Sequence, residues 1–453
     1  MKNENPSILA PRRGAVLHGN QHQGWLAALA HPWLISPHRS AVRSLKGVRG
    51  YFAAILIFSV TSLCFAQTYT HRGFLENRGT FYPQKAANDR AQAVGESLFR
   101  YEGFYAPSPT FEVAGAVDFR TDTHHQVDRD FKLSWQDRGI RRPLGDVRRL
   151  SANYHNGPVT FEIGKQFIRW GKTDIVTPTD RFAPRDFLNV VDNEFLAVTA
   201  ARLNFEKGAN TIEAVWSPRF TPSRIPLANQ RWAPESASGI GPVDVQLHVP
   251  GGPQAGLRWN HAGAVEYEVS LYQGFNHLPS FTLNLPLPDG VELFYPTMLM
   301  AGSDVAIPTG FFTIKGEAAY FKSNDKRVDE YALYVVQIER QSGEWFFIGG
   351  YAGETVTNAR MSRLTSTFAP DRGLTKTILG RAGYTIDANR NVAVETAARQ
   401  NGADFWLKAE YSQAFGQHWR ATLNLTLIRG ELGDFLGEYR RNSHALLILR
   451  YSF

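Results

Sequence analysis

The chain has 453 residues and a formal charge of +7, enough length for several soluble domains or for one large closed sheet. Seven basic residues against one acid fall within residues 1–66, so the remainder is close to neutral and the basic balance gives no argument for a nucleic-acid partner. The single cysteine, Cys64, lies in the same stretch, which excludes disulfides and cysteine-based metal sites from the rest.

Residues 1–41 show no periodicity, carry Pro6, Pro11, Pro32 and Pro37, and read as a disordered start-site extension. Residues 42–66 read as a signal peptide. Arg43, Lys46 and Arg49 precede an apolar run from Tyr51 to Phe65, and Cys64-Phe65-Ala66 suits cleavage before Gln67. That run is shorter than the roughly 20 residues a spanning helix needs. Residues 67–109 are expected to form a periplasmic or plug segment with a short helix over 86–99, where Ala91, Val94 and Leu98 share a stripe.

From residue 110 to 453 the pattern is all-β, an antiparallel up-and-down transmembrane barrel. Apolar and polar side chains alternate in segments of about ten residues. Strands are expected near 111–121, 146–154, 159–168, 196–205, 211–217, 254–260, 264–275, 297–306, 311–321, 330–340, 344–351, 374–385, 391–399, 404–412, 418–428 and 442–453. That is about sixteen, within a range of about 14 to 18. Tight turns such as Asn156-Gly157, Lys207-Gly208 and Phe415-Gly416 alternate with longer connections such as 122–145, 169–195 and 218–253. Short periplasmic turns with long external loops distinguish an outer-membrane barrel from a soluble sandwich. Phe119, Trp216, Trp259, Phe275, Tyr320 and Tyr411 suit interfacial girdles, as does Trp170. In the last strand Ala445, Leu447, Leu449, Tyr451 and Phe453 alternate up to the carboxylate. This resembles the C-terminal signal that outer-membrane proteins present to the barrel-assembly machinery.

One stretch carries a finer likeness. Gly164-Lys165-Gln166-Phe167-Ile168-Arg169-Trp170-Gly171 leads to Thr177-Pro178-Thr179-Asp180, and Trp216-Ser217-Pro218-Arg219-Phe220-Thr221-Pro222 follows. The pattern resembles a group of porin-like outer-membrane barrels of Gram-negative bacteria. The resemblance implies an outer-membrane location and supplies no substrate. Strict alternation would aim Lys165 at lipid, at a cost of about 2–4 kcal/mol near the midplane, so a bulge at the flanking glycines is expected.

Continued alternation assigns a lumen-facing set: Glu112, Asp118, Arg120, Arg149, Glu162, Arg202, Glu213, Glu266, Glu268, Lys315, Glu317, Glu395, Arg399, Lys408, Glu410, Arg420 and Arg450. Mixed signs suit a water-filled pore with cross-strand pairs. Glu266 and Glu268, two apart on one face, fit lumen lining better than a catalytic pair. His124, Ser134, Asp180 and Asp186 are joined by no catalytic motif, so no enzyme, metal or cofactor is expected. The connection 171–195 carries Lys172, Asp174, Asp180, Arg181, Arg185 and Asp186 among Phe182, Phe187 and Phe195. Such apolar anchors suit a loop folded inward as a constriction, or one packed over the rim against Phe220, Ile225 and Trp232. The expected function is passive passage of small hydrophilic solutes. Alternatives are a conduit for a polymer or hydrophobic molecule, a structural or adhesion barrel with a blocked lumen, and, least, a hydrolase. Outer-membrane lipid, lipopolysaccharide, the assembly machinery and a second copy of the chain are the expected partners.

Overall fold

The computed structural model describes residues 68–237, 245–283, 290–362, 364–400, 402 and 404–453, so the expected extension, signal peptide and cleavage site lie outside the described residues. The wall is a closed antiparallel sheet. Its strands are β1 Tyr69–Phe81, β2 Ala93–Ser108, β3 Phe111–Asp122, β4 Gly145–Asn156, β5 Val159–Gln166, β6 Val198–Lys207, β7 Asn210–Ser217, β8 Gln254–Ala262 and β9 Glu266–Phe275. They continue as β10 Thr297–Pro308, β11 Thr313–Lys322, β12 Glu330–Ser342, β13 Trp345–Asn358, β14 Thr377–Asp387, β15 Arg390–Arg399, β16 Phe405–Phe415, β17 Trp419–Arg429 and β18 His444–Ser452. Each pairs with the next, and β1 closes on β18 from Phe74↔Ser452 to Phe81↔Ala445. Closure leaves no unpaired edge in hydrocarbon.

The sixteen expected strands are β3 to β18, and the N-terminal segment corrects the expectation. Residues 68–109 form neither a plug nor a helix over 86–99: β1 and β2 complete the wall as an eighteen-stranded barrel. Val94 and Leu98 share a face at a period of 3.6 and also at a period of 2, so their stripe could not discriminate. In β2, Leu98 and Arg100 point inward and are 0% and 1% exposed, while Phe99 is turned outward. In β1 the outward face is Leu75, Asn77, Gly79 and Phe81, half of it without an apolar side chain, which hides the alternation.

Elsewhere the two faces separate as expected. Leu423, Leu425, Leu447 and Leu449 are exposed outward, while Asn424 and Thr426 are buried. A nineteenth strand, Leu133–Ser134, lies outside the wall order and runs parallel to the start of β4. The interior also holds apolar layers. Val335, Ala352, Leu379, Ala397, Trp406 and Ile428 of the wall from β12 to β17 pack on Ile175, Val176, Phe187, Val190 and Val191 of the connection between β5 and β6, together with Trp232.

Candidate functional site: an inner loop fastened across the lumen

The chain leaves the wall at Gln166 and rejoins it at Val198. Gly164 has φ +127°, and a Cβ there would collide with the Leu150 carbonyl, so the strand bends where only glycine fits. The expected bulge is absent, since the register runs on unshifted through Leu150↔Lys165 and Lys165↔Thr199. Lys165 is covered instead by its partners, its Nζ 2.7 Å from Asp137 and 3.2 Å from Asp146, and is 1% exposed. Trp170 is no girdle residue. It is buried in the interior, its Nε1 donates to Glu213 at 2.7 Å, and its ring meets Phe182 edge-on at 5.1 Å. The wall makes room at Gly256, where a Cβ would fall 2.5 Å from the Trp170 ring. Phe275 shares its phase with the exposed Val269 and Leu271 and packs on Phe220 at 5.5 Å, and Trp216, Trp259, Tyr320 and Tyr411 are exposed.

The strongest fastening is at Glu317 of β11. One carboxylate oxygen accepts from Lys172 N and Thr173 N at 3.1 Å each and from Thr173 Oγ1 at 2.6 Å. The other accepts from Thr179 N and Thr179 Oγ1, both at 2.8 Å. Gly171, at φ +90°, passes so close that a Cβ would lie 2.6 Å from the same carboxylate. Asp174 accepts from Lys315 Nζ at 3.1 Å and Gln337 Nε2 at 2.5 Å. Lys172 Nζ donates to Glu266 at 3.1 Å.

The loop then crosses to the other side of the wall. Arg181 donates to Asp371 at 3.1 Å, and Asp180 pairs with Arg169. Asp186 accepts from Arg142 and Arg224 at 2.9 and 3.1 Å. Asp192 accepts from Lys408 of β16 at 2.7 Å and lies 3.5 Å from His444 of β18. Glu194 accepts from Arg120 of β3 at 3.0 Å and from Arg148 of β4 at 3.4 Å. Burial penalises the charges of Asp186, Asp192 and Glu194, yet their cationic partners outweigh it and hold all three below the usual carboxylate range. For Arg185 the opposite holds: burial and then the Arg169 charge bring it down to about 9, and its guanidinium lies over the Phe195 ring at 4.2 Å.

The second long connection also turns in. Phe220 and Trp232 are buried, Arg224 donates to Asp137 at 2.6 Å, and Trp232 packs on Tyr439 and His444. The two loops therefore meet each other as well as the wall.

The expected lumen residues fall into three arcs. On β3 to β8, Arg149 pairs with Glu162 at 3.0 Å, Arg202 with Glu213 at 2.6 Å, and Asp118 with Arg100 at 2.6 Å. Glu266, Glu268, Lys315 and Glu317 lie on β9 and β11, where Glu268, Asp304 and Glu317 are register neighbours on successive strands. Glu395, Lys408, Glu410, Arg399 and Arg420 lie on β15 to β17, with Arg399 bonded to Asp434 at 2.5 Å and Arg420 to Ser412 at 3.1 Å. Glu112 stands apart, in register with Asn153. Arg450 pairs with Glu76 of β1. The sequence reading missed Arg72, Arg100, Arg148, Arg258 and Asp304. The first two lay on strands it had not placed, and a register shift beside Ala116 turns Arg148 inward. Arg258 and Asp304 had a usable signal, since each is in phase with buried polar partners on the adjacent strand.

Below the inner loop, toward the short turns, is a cavity of about 740 Å³ lined by Arg72, Arg100, Arg148, Arg149, Arg202 and Arg258 against Glu102, Glu162, Glu206 and Glu213. Several of the neutralising carboxylates are shared. Glu213 serves Arg202 and Arg258, and Asp118 serves Arg100, Arg120 and Arg148. Arg258 also pairs with Glu268 at 3.0 Å, so the arginines adjoin an acidic arc of Glu268, Asp304 and Glu317 on the next strands.

No family model and no curated protein sequence matches the chain. Its fold is similar to those of solved outer-membrane proteins. OpdK of Pseudomonas aeruginosa is 10% identical at TM-score 0.50, over 85% of this chain and 98% of that one. OccK5 (OpdH) of the same organism is 8% identical at 0.50, over 84% and 98%. OccAB3 of Acinetobacter baumannii is 9% identical at 0.50, over 85% and 99%. A closed antiparallel wall with an apolar outer face leaves no unpaired backbone group toward hydrocarbon, and this architecture places the chain in an outer membrane.

Proposed function

We propose that the protein is a selective channel for small hydrophilic solutes, that the loop between β5 and β6 is its constriction, and that the lumen favours organic anions. The arginine-lined cavity beneath the loop carries this reading. Guanidiniums whose carboxylate partners are shared retain field and hydrogen-bond capacity for a passing carboxylate, and their fork geometry matches it. Fixed charge on a pore wall sets selectivity at this range, because the Debye length of about 8 Å exceeds the distance from wall to solute. The adjoining acidic arc moderates the preference. Reversal potentials across a salt gradient in planar bilayers test the reading. An anion preference that falls in Arg202→Gln/Arg258→Gln is expected, and a cation preference in the unaltered protein would overturn it. A second reading, a closed structural barrel, is favoured by the fastening of the loop at Glu317, Asp192 and Glu194. Absence of conductance steps from a folded, inserted protein would decide for it.

A further inference from the structure

A second cavity, of about 470 Å³, lies at the outer end of the wall, where β5 turns inward. Its lining includes Trp135 and Arg138 from the 123–144 connection, Lys165 and Thr199 from the wall, and Arg219 and Phe220 from the connection after β7. Thr199 shares its phase on β6 with Leu203 and Phe205, which are exposed outward at 45% and 41%. The cavity therefore opens on the lipid side of the wall and not into the lumen. Close along the chain to its lining are exposed apolar side chains: Leu133, two residues before Trp135, is 59% exposed, and Trp216, two residues before Pro218, is 53% exposed. Aromatic and aliphatic groups of this kind at the end of a spanning strand sit at the level of lipid headgroups.

The charges within the cavity are unevenly compensated. Lys165 is answered by Asp137 and Asp146. Arg138 and Arg219 lie near enough to repel, and this adds to burial in lowering the proton affinity of Arg138. Neither pairs with a carboxylate among the described residues. Arg138 is held in place by the carbonyls of Val249 and Pro250, at 3.4 and 2.9 Å. Asp137, which also lines the cavity, is taken up by Lys165 and Arg224, so a phosphate entering the cavity meets the partly buried Arg138 and the exposed Arg219 and can accept from both.

We infer that this lateral cavity binds the phosphorylated headgroup of an outer-leaflet glycolipid, with Arg138 and Arg219 on the phosphate and Trp135, Leu133 and Trp216 against the adjoining acyl and sugar surface. The site lies outside the lumen and does not depend on what the pore passes. It fastens the flap around Leu133–Ser134 to the wall at the place where β5 departs.

Native mass spectrometry of the full-length mature barrel in detergent, titrated with bis-phosphorylated lipid A, its dephosphorylated counterpart and inorganic phosphate, tests the inference. The phosphorylated lipid should bind the unaltered protein, and Arg138→Gln/Arg219→Gln should bind it about tenfold to a hundredfold more weakly, as loss of charge-assisted bonds implies. Thr199→Trp, which fills the floor, should also lower binding while leaving heat-modifiable barrel intact. Lipid binding that is unchanged in the arginine double variant would overturn the inference. So would equal binding of the dephosphorylated lipid. Tight binding of inorganic phosphate alone, with no preference for the lipid, would keep the phosphate chemistry but overturn the lipid as its source.

Discussion

Removing the Glu317 carboxylate should release the first half of the inner loop. The carboxylate accepts from three backbone N–H groups, of Lys172, Thr173 and Thr179, and from two hydroxyls, all within 3.1 Å. In Glu317→Ala the hydroxyls can turn elsewhere, but the three buried amides cannot. Each unsatisfied amide costs about 1–3 kcal/mol, and because water enters the space left by the side chain the smaller figure applies to most, giving about 3–5 kcal/mol in all. Glu317→Gln keeps one acceptor oxygen and turns an NH2 toward the other donors, so about half that loss is expected. In hydrogen-exchange mass spectrometry, peptides spanning 171–180 should lose protection by about 10² to 4 × 10³ in Glu317→Ala, at about tenfold per 1.4 kcal/mol. The wall, which keeps its ladder bonds, should stay heat-modifiable. Single-channel conductance should rise in the same order, alanine above glutamine above the unaltered protein. If the 171–180 peptides keep their protection in Glu317→Ala, the loop is held by its apolar contacts and the carboxylate is incidental. If protection is lost but conductance does not change, the loop is fastened as described but does not set the bore.

Replacing Asp174–Phe187 by a Gly-Ser linker should raise conductance severalfold while folded barrel is still recovered; equal conductance would make the loop a lid. Changing Tyr451 and Phe453 to Ser should lower the amount of inserted barrel, because it removes the ring of Phe453 stacked on Phe99 at 6.2 Å and that of Tyr451 packed on Trp419 at 5.1 Å, and quantitative blots of outer-membrane fractions report it. Asp186, Asp192 and Glu194 are held below the ordinary carboxylate range, so their fastening is present above about pH 4 and is lost only as the pH falls below that value, through the folded-state ionisations. Exchange in peptides covering 186–194, corrected for intrinsic rates, should therefore be flat from about pH 7 to about pH 5; a rise in that window would contradict the pairing.

What the sequence revealed and what it concealed follow from one physical distinction. A strand that meets lipid on one face must be apolar at every second position, so β3 to β18 were legible from their own residues. The strands β1 and β2 were not, because Asn77 and Gly79 on the outward face of β1 and the Ala-rich approach to β2 break that rule locally. Their membership in the wall is imposed by closure: without them β3 and β18 would each expose an unpaired edge, a constraint no single segment records. The inner loop was half legible. Phe182 and Phe187 announced burial, but nothing local could say that Glu317, 138 residues beyond Thr179, would receive its turns. The glycines do carry that information, though only in retrospect. Gly171 on the loop and Gly256 and Gly302 on the wall stand where a methyl group would strike Glu317, Trp170 and Thr179 respectively. In a barrel whose interior could be open water, three such close approaches between loop and wall have no use unless the loop is meant to be seated there.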